Sequence, residues 1–197
     1  MKRVFDVLIS FFILVIFTPI GLIISILIAF TSTGGVFYRQ ERIGLNGIPF
    51  KIFKFRTMRT DSDKKGKLTV GMRDSRITSI GYFLRKYKLD EFPQFINVLK
   101  GEMSIVGPRP EVMEYVNLYT ESQRKILSVK PGITDYASLE FFNENELLAQ
   151  SNNPQQTYVT EIMPAKLLLN EKYLENPTIG NDLKIMTKTF FKILKIK

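Results

Sequence analysis

The chain has 197 residues and a formal net charge of +9 at pH 7, and it contains neither histidine nor cysteine. This composition excludes an imidazole base, a thiolate nucleophile, a disulfide framework and a conventional zinc site. Any metal would be a hard cation held by oxygen atoms, for which Mg²⁺ is the ordinary candidate. The length suits one domain with its own core, and the basic excess points to nucleic acid, lipid headgroups or nucleotide phosphates as partners.

A membrane segment is the first predicted element, because no charged residue occurs from Val7 to Phe30. A helix over this run would be about 36 Å long, which exceeds the ~30 Å hydrocarbon core of a bilayer. The run is too long for a cleaved signal peptide. Pro19 removes one helical hydrogen bond near the middle, and the hydroxyl of Thr18 can satisfy the freed backbone group. These residues leave a bent transmembrane span and a re-entrant hairpin equally open.

A β-hairpin is predicted to follow the membrane segment. Strand-like sequences at Val36–Tyr38 and Phe50–Phe55 flank the turn-rich tetrapeptide Gly44–Gly47. The alternation of apolar and polar residues slips at Ile52 and Phe53, so we expect a bulge or an early end of the second strand.

Basic residues, among them Lys54 and Arg56, alternate with aromatic residues at the second strand. This pattern fits a nucleic-acid surface, an edge that faces phosphate, or the solvated face of a hairpin. The polar, glycine-containing residues 60–76 are predicted to form a mobile loop beside the site. A helix capped by Thr78 or Ser79 is expected to run from there to about Tyr87.

Two further segments are predicted from composition and spacing. Val112–Leu127 carries apolar residues at helical spacing and is predicted to form one amphipathic helix. Residues 143–157 are rich in Asn, Gln, Glu and Ser, so we expect a loop that contributes little to the core.

The C-terminal segment from Asp182 is predicted to form a helix with an apolar stripe and a lysine stripe. Such a helix is typical of an anionic membrane surface. A helix packed on the core with a solvated lysine face fits the same pattern. The apolar stripe comprises Leu183, Met186, Phe190 and Leu194, and the lysine stripe comprises Lys184, Lys188, Lys192 and Lys195.

The acid pair Asp90-Glu91 precedes Pro93, which is favoured in the first turn of a helix. Asp90 is therefore predicted to cap a helix that ends at Gly101. Both acids would lie at the positive end of this helix, where phosphate also binds. An ionised aspartate beside cations can act as a nucleophile toward phosphorus or as an Mg²⁺ ligand.

The second candidate element is Pro108-Arg109-Pro110. The two prolines restrict the backbone around Arg109, and a guanidinium held in place suits bidentate recognition of phosphate. A loop staple that pairs with a carboxylate fits the same residues.

Several ordered motifs together resemble the bacterial sugar transferase family. Its members are monotopic polyprenyl-phosphate phosphoglycosyl transferases, and this chain is similar to the small members that carry the catalytic domain alone. The resemblance extends from Lys2 to about Lys192 and is more specific than any single motif. The motifs are Arg56-Thr57-Met58, Asp74-Ser75-Arg76-Ile77-Thr78, Leu89-Asp90-Glu91-Phe92-Pro93-Gln94, Asn97-Val98-Leu99-Lys100-Gly101-Glu102-Met103-Ser104, Val106-Gly107-Pro108-Arg109-Pro110 and Lys130-Pro131-Gly132-Ile133-Thr134.

The resemblance implies transfer of a sugar phosphate from a UDP-sugar to undecaprenyl phosphate with release of UMP, as the first membrane step of surface glycan assembly. It implies that Asp90 attacks the β-phosphate to form a phosphosugar ester, with Mg²⁺ offsetting charge. Glu91 would be its partner, as metal ligand or proton acceptor. Phosphate or nucleotide would be held by Arg85 and Arg109, together with Pro108, Pro110, Lys54 and Arg56.

The resemblance also implies an architecture and a location. The expected fold is α+β and mainly helical, with a small β-hairpin and interfacial amphipathic helices. Residues 1–35 would form a re-entrant membrane helix hairpin broken at Thr18-Pro19. Residues 36–197 would form a compact cytosolic catalytic domain on the cytoplasmic face of the bacterial inner membrane. Membrane lipids are further expected partners, nucleic acid is not, and the oligomeric state, a homodimer included, is left open.

Two departures from the family pattern limit these expectations. Thr18 stands where the family has serine, which keeps the hydroxyl. Many members continue Pro-Gly-Ile-Thr with Gly and then a Gln, whereas Thr134 is followed here by Asp135-Tyr136-Ala137-Ser138. The sugar and the glycan pathway are therefore not assigned. Two other functions stay open: direct sugar transfer with release of UDP, and a membrane-anchored basic interaction protein.

Overall fold

The computed structural model describes residues 1–60, 62, 68–71 and 74–195. In these residues the fold is mostly helical, as predicted from the sequence, with the predicted β-hairpin and a second, two-stranded sheet that was not predicted. The α-helices are α1 Lys2–Thr31, α2 Ser79–Lys86, α3 Gln94–Lys100, α4 Met113–Val116, α5 Tyr136–Glu140, α6 Glu144–Ala149, α7 Pro154–Thr157, α8 Met163–Glu175 and α9 Ile179–Leu194. The strands are β1 Phe37–Ile43, β2 Pro49–Phe55, β3 Ser104–Val106 and β4 Gly132–Thr134.

The N-terminal helix α1 is helical at every position, including Thr18 and Pro19. The hydroxyl of Thr18 donates to the carbonyl of Leu14 at 2.7 Å, whereas the carbonyl that Pro19 deprives of its helical donor is that of Val15, so this bond does not replace the one that the proline removes. By length and composition, α1 could cross a membrane. The chain forms one helix here instead of two at a Thr18-Pro19 break, and a re-entrant path through a bilayer stays a prediction.

Both ends of α1 contact the rest of the molecule. At its start, Lys2 donates to the carbonyl of Val106 at 3.1 Å and forms an ion pair with Asp182. The buried carboxylate of Asp6 accepts from the Ser104 hydroxyl at 2.8 Å. Near its end, Ile24 and Ile28 pack into a buried cluster with Phe55 and Leu84. The opposite face exposes large apolar side chains, among them Leu8, Phe12, Val15, Ile16, Ile23, Leu27 and Phe30.

The predicted β-hairpin is present, but the predicted bulge at Ile52 and Phe53 is wrong. The register between β1 and β2 is regular from Phe37 opposite Phe55 to Ile43 opposite Pro49. Ile52 is buried in a core cluster. Phe53, on the other face, is covered by the Arg39 guanidinium at 4.5 Å and the Lys100 ammonium at 4.7 Å. The slip in alternation therefore reflects a strand that is covered on both faces.

The second sheet pairs β3 and β4 in parallel. Gly107 follows β3, and a Cβ atom on it would lie 2.5 Å from the carbonyl oxygen of Lys130. The close approach of the two segments therefore requires a residue without a side chain there.

The predicted single helix over Val112–Leu127 is wrong, because the chain leaves the helix after Val116. The backbone N–H of Thr120 donates to the side-chain carbonyl of Gln123 at 2.9 Å, and the Gln123 N–H donates back to the Thr120 hydroxyl at 3.3 Å. This reciprocal capping box begins a new helical turn, a 3₁₀ helix over Gln123–Ser128.

The predicted loop over residues 143–157 is also wrong, because α6 and α7 lie within it. Leu148 on α6 is fully buried, and the Asn153 side chain caps α7 by accepting from the Gln156 N–H at 3.2 Å. A π-helical turn over Tyr158–Ile162 joins α7 to α8. Of the predicted loop over residues 60–76, residues 61, 63–67, 72 and 73 lie outside the described residues.

The predicted C-terminal helix is confirmed as α9, which is capped by Thr178. Its inner face buries Asp182 and Ile185. Leu183, Phe190 and Leu194 of the predicted apolar stripe stay exposed, together with Phe191. The helix therefore packs on the core along one face and keeps an open apolar surface.

Candidate active site

The acid pair lies in a tight turn between α2 and α3. Lys88 adopts a left-handed conformation, with φ of 56°, and starts a 3₁₀ helix over Leu89–Glu91. Asp90 lies inside this helix and makes no side-chain cap, so the predicted capping role is wrong. The predicted end of the following helix at Gly101 is confirmed, because Gly101 has φ of 87°.

Glu91 binds two of the predicted phosphate-holding cations. Its carboxylate accepts two hydrogen bonds from the Arg109 guanidinium, one of them at 2.9 Å, and a third from the Lys54 ammonium at 3.0 Å. Burial alone would raise the pKa of the Glu91 carboxyl, but Arg109 and Lys54 hold that pKa well below its usual range. Glu91 is therefore ionised at neutral pH.

Asp90 differs from its neighbour, because no hydrogen bond or ion pair to its carboxylate comes from the part of the chain that is described. The residue is 7% exposed. Burial, and then the negative charge of Glu91, raise the pKa of the Asp90 carboxyl above its ordinary value. The carboxylate is thus poorly stabilised in the absence of a bound cation or substrate, a state that favours reaction as a nucleophile.

Arg85 is fixed by a residue that the sequence did not single out for this role. Its Nε donates to the Thr57 hydroxyl at 2.9 Å. Burial lowers the pKa of the Arg85 guanidinium, and the charge of Asp90 offsets part of this effect. The backbone of Thr57 can approach α2 so closely because Gly81 has no side chain there. Arg85 thus contributes positive charge near Asp90 without pairing with it.

Arg109 is positioned by residues on both sides of its loop. Pro108 and Pro110 are buried, and the Pro108 carbonyl accepts from the Gly132 N–H at 2.9 Å. The Arg109 N–H donates to the buried Asp135 carboxylate at 3.1 Å. Asp135 was noted in the sequence only as a departure from the family pattern, although Asp135 with Ser138 is a local helix-cap signal.

The remaining predicted phosphate-binding residue, Arg56, is used elsewhere. Its guanidinium donates to the carbonyls of Gly35 at 2.8 Å and Phe37 at 3.2 Å. These contacts hold the connection between α1 and β1. The structure therefore brings Lys54, Asp90, Glu91 and Arg109 together and gives Arg56 contacts outside this group.

The membrane helix contacts the acid pair's turn directly. Phe17, next to Thr18 and Pro19, stacks on Phe92 with ring centroids 3.7 Å apart. Because Phe92 follows Glu91, this aromatic pair joins α1 to the turn that carries both acids. Sequence periodicity does not reveal a contact between residues so far apart along the chain.

A second, partly buried cluster of charges lies on the other side of Arg109. Glu111 accepts from the Tyr158 hydroxyl at 2.5 Å and pairs with Arg42 at 3.3 Å. Lys166 lies 3.8 Å from Glu111 and 2.9 Å from Glu144. Burial alone would raise the pKa of Glu111, but Lys166 and Arg42 hold it below its usual value. Every acid in this cluster is therefore paired.

Mg²⁺ was predicted at Asp90 and Glu91, and the donor atoms at Asp90 fit such an ion. Mg²⁺ is usually bound through one or two carboxylates together with water and substrate phosphates. Asp90 offers carboxylate oxygens that have no partner from the residues that the structure describes, whereas those of Glu91 are bound to cations. No group of three acidic side chains forms a complete metal site in the described ranges. The metal stays a prediction.

Comparison with protein families gives a match over nearly the whole chain. The family model described as "Bacterial sugar transferase" matches residues 1–196. The matched region includes α1, the acid pair, the Pro108–Pro110 loop and α9.

This chain is also similar to several named proteins. "Uncharacterized sugar transferase EpsL" of Bacillus subtilis (strain 168) is 37% identical over 98% of this chain and 87% of its own length. "UDP-glucose:undecaprenyl-phosphate glucose-1-phosphate transferase" of Escherichia coli (strain K12) is 34% identical over 98% of this chain, which spans 40% of that protein. "UDP-N-acetylgalactosamine-undecaprenyl-phosphate N-acetylgalactosaminephosphotransferase" of Aeromonas hydrophila is 38% identical over 70% of this chain and 33% of its own length. The relatives thus differ in length, and the names that specify a sugar specify different ones.

Proposed function

The chain belongs to the bacterial sugar transferase family, and on this premise we propose that it transfers a sugar 1-phosphate from a UDP-sugar to undecaprenyl phosphate. UMP is the proposed second product. The printed names of two relatives support the donor and acceptor classes. Because those two names specify glucose and N-acetylgalactosamine, the sugar of this chain is not carried over from them.

The proposed mechanism rests on the observation that two adjacent acids differ in their hydrogen-bond and ion-pair partners. Glu91 is bound by two cations, and Asp90 is buried without a partner in the described chain. A structural carboxylate in such surroundings would be expected to pair with a cation or a hydrogen-bond donor. Asp90 is therefore the proposed nucleophile, and Glu91 is the residue that keeps Arg109 and Lys54 beside it.

The proposed reaction has two displacements at the same phosphorus atom. A carboxylate oxygen of Asp90 bonds to the β-phosphorus of the donor, and the bond from that phosphorus to the oxygen bridging the two phosphates breaks. The electron pair leaves with UMP. A phosphate oxygen of the prenyl acceptor then attacks the phosphosugar, the bond to Asp90 breaks, and the free carboxylate is restored together with undecaprenyl diphosphate sugar.

Arg109 and Lys54 are proposed to bind the donor's phosphates. Both are held by Glu91, so a diphosphate would approach two cations that are already positioned. A guanidinium presents a fork of N–H donors that matches phosphate oxygens, and this match is best realised when the side chain is preorganised. Bound Mg²⁺ would offset charge on the phosphates; Asp90, with Glu91 beside it, would hold the ion.

A monotopic placement on the cytoplasmic face of the inner membrane is proposed for the anchor. In support, α1 contacts the same folded body at Lys2 and at Ile28. A helix that crossed the bilayer would carry its end away from that body. The exposed apolar faces of α1 and α9 would then meet lipid, and the lysines of α9 would meet anionic headgroups.

Product analysis tests the proposed reaction. The purified protein is incubated with undecaprenyl phosphate, Mg²⁺ and a panel of UDP-sugars, and the nucleotide products are separated. The proposal predicts UMP in equal amount to lipid-linked sugar diphosphate for at least one donor. Release of UDP would support direct sugar transfer instead. No turnover, with salt-sensitive binding to nucleic acid, would support a basic interaction protein.

Labelling of single cysteines tests the placement separately. The chain has no native cysteine, so one introduced at either terminus gives an unambiguous signal. In inverted membrane vesicles, whose cytoplasmic face points outward, an impermeant thiol reagent should label both termini. Labelling of one terminus alone would instead indicate a helix that spans the bilayer.

A further inference from the structure

Asp135 is fully buried and joins the Arg109 loop to the first turn of α5. One carboxylate oxygen accepts from the Arg109 N–H at 3.1 Å, and the other accepts from the Ser138 N–H at 2.6 Å. The second bond is an ordinary helix cap. The bond to the Arg109 N–H is not needed for the cap. It links Asp135 to the backbone of the residue whose guanidinium binds Glu91.

The segment from Gly132 to Asp135 contacts the Arg109 loop at further points. The Gly132 N–H donates to the Pro108 carbonyl at 2.9 Å, and the Arg109 guanidinium donates to the Ile133 carbonyl at 3.3 Å. Both of these contacts use the backbone of the segment. Asp135 provides the contact that depends on a side chain, so it is the position at which a substitution can change the loop selectively.

We propose that Asp135 is a positioning residue that fixes the backbone of Arg109, so that the guanidinium stays in place when it binds donor phosphates. This inference rests on the proposed function. Arg109 lies between two prolines whose φ angles are fixed, so its remaining freedom is largely a tilt of the peptide that carries its N–H. The Asp135 carboxylate opposes this tilt. A displacement of the fork by about 1 Å is enough to weaken a preorganised phosphate site.

Two substitutions separate positioning from capping. Asp135→Ala removes both hydrogen bonds. Asp135→Ser retains a good helix-cap residue for the Ser138 N–H, but its single short side chain does not also reach the Arg109 N–H. Asn153→Ala is the matched control, because it removes the exposed cap of α7, which has no contact with Arg109.

The expected result is a loss of roughly ten- to a hundred-fold in kcat/KM for the UDP-sugar in both Asp135 variants. Most of the loss should appear as a higher KM for the donor, with KM for undecaprenyl phosphate little changed. Asn153→Ala should keep wild-type kinetics. Melting temperatures measured in the same detergent will show that the Asp135→Ser protein is folded.

A double-mutant cycle with Arg109→Ala tests whether Asp135 acts through Arg109. The expected result is that Asp135→Ser has almost no further effect on kcat/KM in the Arg109→Ala background. Equal losses in both backgrounds, or wild-type kinetics of folded Asp135→Ser and Asp135→Ala, would overturn the inference. These outcomes differ from failure of the proposed function, which would appear as absence of UMP release in the wild-type protein.

Discussion

Two partly buried charge clusters lie on either side of the Arg109 loop and contain the same numbers of charges. The dyad cluster consists of Lys54, Asp90, Glu91 and Arg109, and the paired cluster consists of Arg42, Glu111, Glu144 and Lys166. Each has two acids and two cations. In the paired cluster both acids contact a cation. In the dyad cluster both cations bind Glu91.

This difference indicates what each cluster is for. Buried charges are usually tolerated when they are paired, because an unpaired charge has a high desolvation cost. The paired cluster follows this rule and joins β1 to α6 and α8. The dyad cluster leaves Asp90 without a partner among the described residues, although it contains enough cations to pair this acid. Reactive groups are often destabilised in this way at functional sites.

The largest expected effect is on catalysis by Asp90. Asp90→Asn should lower UMP release by at least about a thousandfold, because an amide cannot attack phosphorus. The measurement is initial rate with saturating donor and acceptor. Glu121→Gln, at an exposed position, is the control and should keep full activity. An Asp90→Asn enzyme with more than a tenth of wild-type activity would contradict the assignment.

The paired cluster should show its effect in stability. Glu111→Gln removes the acid shared by Arg42, Lys166 and Tyr158, so we expect a loss of about 3 kcal/mol in the free energy of unfolding at pH 7. The folded-state pKa of Glu111 is lowered, so its contribution is present above the unfolded pKa and is lost as pH falls through the folded pKa. Unfolding in urea at pH 7 and at lower pH measures both the loss of unfolding free energy and its dependence on pH.

The stability effect should have the opposite sign at Asp90. Asp90→Asn removes a buried charge that has no partner in the described part of the chain, and we expect a melting temperature higher by roughly 2–4 °C, which corresponds to ~1 kcal/mol in a chain of this length. Thermal unfolding at pH 7 in the same detergent tests this against Glu111→Gln. Destabilisation by both substitutions would remove the distinction between the clusters.

Each cluster contains one arginine, and substitutions of these two arginines should have different effects on the kinetics. Arg109→Lys loses the guanidinium fork on Glu91 and should lower kcat/KM for the donor about ten- to a hundred-fold. Arg42→Lys keeps a charge beside Glu111 and should lower kcat/KM less than threefold, with a small loss of stability. Similar kinetic losses in both variants would mean that the paired cluster also binds substrate.

The smallest effect concerns pH. Burial and Glu91 raise the pKa of Asp90, and only the ionised form attacks, so the acid limb of UMP release should lie above the ordinary aspartate range. Glu91→Gln removes the negative neighbour and frees two cations, which should move this limb to lower pH even if the plateau falls. A limb that stays in place would show that Asp90 is not the titrating group.

The sequence predicted features that depend on neighbouring residues. The cap at Thr78 is confirmed by its bond to the Gly81 N–H at 3.0 Å, and the helix end at Gly101 is confirmed by its left-handed backbone. The spacing of Thr120 and Gln123 is a capping-box signal, which the prediction of one helix over Val112–Leu127 did not use. Local signals therefore located the helix termini at Thr78 and Gly101, whereas the local signal for a cap at Asp90 was misleading.

Other features depend on residues distant in the chain, and local patterns could not reveal them. Glu111 contacts Lys166, which lies on α8. The polar segment around Leu148 forms a helix because tertiary packing buries the Leu148 side chain. The family resemblance named Asp90 and Glu91 but not their unequal pairing. The folded arrangement of Lys54 and Arg109 around Glu91 supplies a physical difference between the two acids.

The most direct test of the central claim is mass spectrometry of the protein after incubation with a UDP-sugar and Mg²⁺ in the absence of prenyl phosphate. The account predicts an added mass of one sugar phosphate, located on Asp90 by peptide mapping and released when undecaprenyl phosphate is added. An active enzyme that acquires no adduct, or that carries the adduct on another residue, would contradict it.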